Sequence, residues 1–554
     1  MTEPLHLAAP EDHTFPTLSP PQMERIATYG HTRSVVRDEI LLEAGAPRTR
    51  CYVVTRGSIE IVRPARDGDG LITVDHVGQF TGEVNLLSGR PGLARIRVRE
   101  DGEVIELERA DVLRMLQTDS ELGEILMRAF ILRRVALIAN GFGDVVLIGS
   151  THCSGTLRVR EFLTRNGHPF HSIDLDTDSD VQELLDRYGV DERDIPVLIC
   201  RGHLVLRNPS NEEIADCLGF NSAIDLEALR DVIIVGAGPS GLGAAVYAAS
   251  EGLDTLVIED TAPGGQAGSS SRIENYLGFP NGITGNELAG RAYVQAQKFG
   301  AGLIIAKRAA RLRCDRKPYA VEIEGGQRVA ARAIIIATGA EYRRLDVPRL
   351  GDFDGAGIYY GATFLEAQLC GGDEVVVVGG GNSAGQAAVF LAQTARHVHV
   401  LVRARGLAES MSRYLTRRIE GNPAITVRAQ TEIVELHGNG HLEGIDWRYT
   451  PTGEVEHRDI RHVFVMTGAA PSTEWLAGCL VRDDKKFIKT GADLTQEELV
   501  AAEWPLARAP HTLETSLPGV FAVGDVRAGS IKRVASAVGE GAAVVALVHR
   551  ALAE

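Results

Sequence analysis

Residues 231–250 read DVIIVGAGPSGLGAAVYAAS. The apolar run at 232–235 predicts a buried strand. It passes directly into Gly236-Ala-Gly238-Pro-Ser240-Gly241 and then into an Ala-rich helix. Gly236 permits a tight turn, Gly238 lets the main chain approach a pyrophosphate, and Gly241 lets the helix lie close to the strand. The helix N-terminus then faces the phosphates. A second apolar strand, Thr255–Ile258, ends on Glu259, about where an acid holds an adenosine ribose hydroxyl. Glycines in this pattern also occur in ordinary strand–helix turns. Here the strand before, the helix after and the acid beyond agree on a dinucleotide.

At 554 residues the chain is too long for one core, and about three or four domains are expected. A hydrophobic content of 44% is that of a globular protein. No apolar run is read as long enough to span a bilayer, and the start MTEPLHLAAPEDHTFP lacks the signature of a secretory signal, so no membrane partner is expected. The net charge of −16 and pI near 5.5 argue against nucleic acid as the main partner. The seven cysteines are Cys51, Cys153, Cys200, Cys217, Cys314, Cys370 and Cys479. None is spaced C-x-x-C, and their scatter suits neither a disulfide framework nor a metal site. A reducing cytoplasm is the expected location.

Residues 1–143 show short β-branched runs at 51–55, 58–62, 72–77, 94–98 and 103–107, separated by Gly/Asp breaks, which predicts a β-barrel. Thr118-Asp-Ser-Glu121 has the form of a capping box, with an apolar helix face behind it from Leu122 to Leu132. That face reads as buried in its own domain in preference to a dimer surface. Arg56-Gly57 and GQFTGEVNLLSGRPGLARI at 78–96 resemble the cyclic-nucleotide-binding domain of catabolite-activator and protein-kinase regulatory proteins. The resemblance implies a ribose held by Gly82 and Glu83. It also implies an arginine just after a proline, but Gly92 follows Pro91 here. Arg90 and Arg95 are the candidates to replace it, since a guanidinium reaches a phosphate from a neighbouring turn. A barrel kept for packing or dimerisation is the alternative.

Residues 144–228 alternate strands (145–148, 172–175, 197–200, 204–206) with helices (156–166, 181–188, 212–218). This order resembles the thioredoxin/glutaredoxin fold. The resemblance places a C-x-x-C redox site between first strand and first helix, where Cys153-Ser-Gly-Thr156 keeps only the first cysteine. The family's cis-proline matches Pro196 and would face Cys153. A thiol at a helix N-terminus is favoured as thiolate. Two readings stand: a monothiol exchange site, and an inert small residue in a docking domain. The lack of a resolving cysteine in the loop weighs toward the second, and Cys200 is a remote candidate partner.

From residue 229 onward more motifs follow the opening fingerprint. GGQAGSSSRIENYLGFP occupies 264–280, AIIIATGA 333–340, EVVVVGGGNSA 374–384 and FAVGD 521–525. Together these resemble low-molecular-weight thioredoxin reductase. The resemblance implies FAD and NADPH as cofactors and a homodimer. It assigns Gly264, Gly265, Gln266 and Asn275 to the isoalloxazine, and Ala337, Thr338 and Gly339 to the flavin nucleotide. Gly524 and Asp525 would meet the ribityl chain, and Lys532, Arg533 and Val534 the pyrimidine edge. For Asp525 a helix N-cap is a second reading.

In the inner unit Gly379, Gly381 and Ala384 take the fingerprint places, with Asn382 and Ser383 between. The strand at 398–402 leads into Arg403, with Arg405 beyond. An arginine there suits the 2′-phosphate of NADPH, where an acid would favour NADH. Both arginines merely solvated is the alternative. The expected architecture is multidomain: the barrel (1–143), the thioredoxin-like α/β domain (144–228), and two nested Rossmann-like α/β domains. The FAD domain is split into 229–354 and 467–554 around an NADPH domain at 355–466, through two crossings that form a hinge.

The chain departs from that family at one point. Where the resemblance places the redox-active C-x-x-C and its acid stand Gly361-Ala-Thr-Phe364 and Leu365, with Glu366 one residue displaced and Cys370 single. The half-reaction from NADPH to FAD is intact, and the acceptor is open. The first reading is a non-disulfide acceptor: a quinone, a ferredoxin or flavodoxin, or oxygen. The second is a protein disulfide reached through Cys153. The third is a flavin sensor without turnover, with the barrel sensing a ligand such as a cyclic nucleotide.

Overall fold

The computed structural model describes residues 11–554 except 47–48, 64–68, 140–144, 151–152, 176–193, 201–203, 271, 354, 363, 408–410 and 468. The helix expected at 181–188 lies outside the described residues.

The N-terminal sheet is built on two long antiparallel strands, Arg50–Arg63 and Arg95–Glu108. His31–Val35 and Ile40–Leu42 add to the second strand and Gly70–Asp75 to the first. Four of the short strands expected from sequence are therefore two continuous ones. The break at Arg56-Gly57 is a bulge: Gly57 has φ +79°, and a Cβ on Gly102 opposite would lie 1.9 Å from the Arg56 carbonyl oxygen. Hydrogen bonding shifts register there and continues. The capping box is corrected as well. Thr118 ends the helix Arg109–Thr118, and the Asp119 carboxylate accepts from the Leu122 N–H at 3.0 Å to start Ser120–Ala139. Leu122, Leu126, Ala129 and Phe130 of that helix are buried against the barrel, whereas Ile131, Val135 and Ile138 are exposed.

The second unit is a four-stranded sheet in the order His171–Asp174, Val145–Gly149, Val197–Cys200, Leu204–Arg207. The first pair is parallel and the rest antiparallel. Its core is continuous with that of the next unit: Leu147, Phe162, Leu198 and Ile214 pack in one cluster with Val232, Leu242 and Val545. The domain is thus seated on its neighbour, not tethered to it.

The third unit has a seven-stranded sheet. Arg230–Val235 runs parallel to Thr255–Ile258 on one side and to Arg328–Ile336 on the other, and Val520–Ala522 closes beside the latter. The inserted unit has a parallel sheet ordered Ile358–Tyr359, His462–Val465, Glu374–Val378, His397–Val402, Ile425–Ala429, covered by a three-stranded antiparallel sheet.

Two further expectations change. The C-terminal helix Val534–Ala553 is long and apolar enough, by length and composition, to cross a membrane. In this fold Ala537, Gly541, Val544, Val545 and Val548 are buried, and a Cβ on Gly541 would lie 2.1 Å from the Ser240 carbonyl oxygen of the fingerprint helix. The cysteines are also less scattered in space than in sequence. Cys314 bonds Cys479 across 165 residues, and Cys200 bonds Cys217, so Cys200 is no partner for Cys153. Neither pairing follows from sequence spacing, because strand and helix ends from distant segments bring the sulfurs together.

Candidate functional site

The opening fingerprint forms a cradle closed by backbone contacts. Gly236 has φ +101°, and a Cβ there would lie 2.4 Å from the Ala337 carbonyl oxygen. A Cβ on Gly241 would lie 1.8 Å from the Gly236 carbonyl oxygen. Gly238 instead opens into space at the start of the helix Pro239–Ser250, its nearest neighbour being the Gly265 Cα at 3.9 Å from a built Cβ. A phosphate can approach that main chain and the helix N-terminus together. Gly264 N–H donates to the Ala237 carbonyl at 2.7 Å, which ties the second glycine turn to the first.

Glu259 is buried and accepts from the N–H groups of Ala237 (2.6 Å), Thr261 (3.1 Å) and Ala262 (3.2 Å). Burial, with Asp260 beside it, pushes its carboxyl up from the usual range, and the backbone donors oppose this.

These groups line one continuous cavity of about 2270 Å³. Gly236, Gly238, Ser240, Glu259, Gly265, Gln266, Asn275, Ala337, Thr338, Gly339, Asp525, Lys532, Arg533 and Val534 all reach it. Gly241, Gly264 and Gly524 stand behind them; a Cβ on Gly524 would lie 2.5 Å from Ser240 Oγ. Thr338 Oγ1 donates to the Ser472 carbonyl at 2.9 Å, and Gln266 donates to the Ala340 carbonyl. Asp525 is raised by burial, with Lys532 opposing. Lys532 Nζ donates to the Asp525 carbonyl at 3.1 Å and lies 4.5 Å from the centroid of the Phe487 ring. Glu540 was not read from sequence. It accepts from the Gly524 N–H at 2.7 Å and pairs with Arg527 at 2.5 Å, fixing the turn that carries Asp525. It lies one helix onward with no local pattern to mark it.

The inserted unit reaches the same cavity through Asn382 and Ser383 at the start of the helix Asn382–Leu391. Gly379 has φ +145° and sits against the Met466 carbonyl, whereas nothing lies within 4 Å of a Cβ on Gly381. Ala384 is buried behind the turn. Arg403 and Arg405 are exposed just past the strand end, without a carboxylate partner among the described residues. Gly361 and Glu366 line the cavity where the family's dithiol would stand. Cys370 does not line it; it is buried, and burial pushes its thiol up to about 11.

The second unit supplies the sulfur. Cys153 is the N-cap of the helix Ser154–Arg165 and lines the cavity, as does Pro196. The Ile195–Pro196 bond is cis, and a Cβ on Gly155 would lie 2.8 Å from Pro196 Cδ. Arg158 lies within electrostatic reach of Cys153 and donates to the Pro209 carbonyl at 2.7 Å. At the other end of that helix Arg165 donates to the Gly265 carbonyl at 2.9 Å, on the second glycine turn. Asn221 exchanges two hydrogen bonds with Ile305, at 2.8 and 2.9 Å. Among the described residues Cys153 is the only cysteine lining the cavity.

Among the described residues, the barrel candidates each have partners of their own. Gly82 (φ +115°) packs on Phe130, and Glu83 pairs with Arg134 at 3.4 Å. Arg95 is held by Glu43 at 2.8 Å and Asp69 at 3.0 Å. Arg90 is buried with its guanidinium 3.8 Å from the Phe220 ring centroid, and it donates to the Asn166 carbonyl at 3.3 Å. Neither arginine therefore replaces the missing one in this arrangement: the first is spent on two carboxylates, the second on the junction between units.

The profile described as "Pyridine nucleotide-disulphide oxidoreductase" matches residues 230–541, "Cyclic nucleotide-binding domain" 32–119 and "Glutaredoxin" 145–205. The chain is 34% identical over 357 residues to NADPH-dependent thioredoxin reductase 3 of Arabidopsis thaliana, covering 61% of this chain and 63% of that protein. It is 35% identical over 329 residues to the thioredoxin reductase of Mycolicibacterium smegmatis, covering 59% of this chain and 98% of that one. The solved thioredoxin reductase of Lactococcus lactis, in its FR conformation, superposes with a TM-score of 0.52 at 26% identity, over 58% of this chain and 99% of that one. With a cradle of this form and a match across more than half its length, the chain belongs to the pyridine nucleotide-disulphide oxidoreductase family.

Proposed function

We propose that the protein is an NADPH-dependent FAD oxidoreductase whose electrons leave through Cys153 to a disulfide. The residues fit both cofactors: open main chain at Gly238 and Gly381, each at a helix N-terminus, suits a pyrophosphate. When bound, FAD would accept hydride from NADPH and hold an electron pair for the acceptor.

The observation that carries the reading is that Cys153 and Pro196 line the same cavity as the two cradles, and that no other cysteine among the described residues lines it. In the proposed exchange the Cys153 thiolate attacks a substrate disulfide, forms a mixed disulfide and expels one sulfur as a thiolate, which takes a proton from water. Two electrons and a proton then break that bond, returning the thiolate and a second thiol. Arg158 lies within electrostatic reach of Cys153, and Arg165 would hold the helix against the second glycine turn. The barrel is proposed as a docking and regulatory domain.

A second reading, a non-disulfide acceptor such as a quinone, is favoured by the lack of a second sulfur beside Cys153. Anaerobic NADPH titration followed by an acceptor panel separates the two. Under the first reading Cys153→Ser retains flavin bleaching by NADPH and loses at least about a hundredfold in disulfide turnover. Disulfide reduction at full rate by that variant would refute it, and full quinone turnover in both proteins would favour the second.

A further inference from the structure

The antiparallel sheet of the inserted unit carries a cluster that the cavity does not use. Its strands are Thr431–Gly438, Leu442–Tyr449 and Glu454–Arg458. In register, His437 faces Gly444 and Asp446 faces His457. The two imidazoles converge on one oxygen. Asp446 Oδ1 lies 2.6 Å from His457 Nδ1 and 3.1 Å from His437 Nε2. The three donor atoms lie within 4.8 Å of one another, and none of these residues lines the cavity.

Two details distinguish the cluster from a chance surface group. His437 Nε2 is buried and faces the same Asp446 oxygen that His457 meets, so both imidazoles are directed into the cluster. Gly444 leaves the space the rings occupy: a Cβ there would lie 3.0 Å from His457 Cε1. Outside the cluster, Asp459 Oδ1 lies 3.5 Å from His457 Nε2, where it can orient the ring.

We propose that His437, Asp446 and His457 bind one divalent transition-metal ion, with zinc the best fit. Two imidazoles and a carboxylate suit zinc, nickel or copper, whereas magnesium and calcium prefer all-oxygen sites. Tetrahedral bonds of about 2.0–2.1 Å place donor atoms roughly 3.4 Å apart, which small side-chain rotations reach from the present spacing. Water completes the shell. The ion links the exposed edge strand Glu454–Arg458 to Thr431–Gly438 across the middle strand, so it acts as a staple for this sheet.

The test uses full-length protein stripped by a chelator and titrated with zinc against a chromophoric competitor. Wild type is expected to take up a zinc equivalent that His437→Ala and His457→Ala each weaken by at least about tenfold. Zinc is also expected to raise the melting temperature of wild type only. NADPH oxidation in the variants checks that they are folded. Where His437→Ala melts early, Asp446→Asn keeps the shape and removes the anionic donor. Unchanged zinc uptake in the folded variants overturns the proposal, as does a wild type that leaves all zinc with the competitor.

Discussion

Single side chains carry the proposed cofactor choice and exit route. Arg403 stands exposed just past the strand that follows the second fingerprint, where an acid would repel a 2′-phosphate and a guanidinium attracts it. Charge-assisted hydrogen bonds contribute about 1.5–3 kcal/mol. Arg403→Ala should raise KM for NADPH about tenfold and leave KM for NADH nearly unchanged, as steady-state kinetics with each nucleotide will show. Equal effects on both would mean the side chain is merely solvated. Cys153 was legible as a cap at a helix start. Its neighbour Arg158 was not, because only the fold brings that guanidinium near the sulfur while tying it to the Pro209 carbonyl.

At the scale of elements, the fingerprint helix is held by the C-terminal helix. A Cβ on Gly541 would meet the Ser240 carbonyl oxygen at 2.1 Å, so Gly541→Leu must push the two helices apart. Overpacking of this kind costs about 1–3 kcal/mol. Lower thermal stability and less flavin retained through gel filtration are expected; a variant that keeps its colour and melts with wild type would contradict this packing account. The barrel has its own electrostatic signature. Asp75 ends the strand Gly70–Asp75 fully buried, and burial pushes its carboxyl up to about 6 although Arg133 opposes it. The unfolded carboxyl titrates near about 4. Folding thus favours the protonated acid: its contribution is complete below about pH 4 and is lost as pH rises through 6, by up to ~1.4 kcal/mol per unit. Asp75→Asn should flatten the fall in barrel stability between those limits, measured by denaturant unfolding at several pH values.

Across the whole molecule, three units meet at Arg90. Its guanidinium lies over Phe220 of the thioredoxin-like unit and 5.6 Å from the ring centroid of Tyr293 in the FAD unit. Cation–π contacts without water contribute about 2 kcal/mol. Arg90→Ala should lower the melting temperature and expose the region between barrel and reductase to limited proteolysis. With Arg90 and Arg95 engaged elsewhere, calorimetry with cyclic AMP or cyclic GMP is expected to give no binding heat. Heat that disappears in Glu83→Ala would restore the ribose assignment.

The dinucleotide fingerprints, the flavin signatures and the loss of the dithiol were all legible in sequence. Each rests on a local demand within a few residues of chain: backbone freedom that only glycine has, or sulfur chemistry that only cysteine supplies. The domain classes were legible for the same reason, since hydrophobic periodicity is a short-range property. The long barrel strands were misread because a bulge and a turn use the same Gly-rich punctuation, and only the partner strand tells them apart. Tertiary structure alone decided that Cys314 meets Cys479, that Arg90 joins three units, and that Cys153 opens on the cavity both cradles line. Those facts depend on how finished elements pack, and burial of apolar faces across 554 residues brings together side chains that no spacing rule relates.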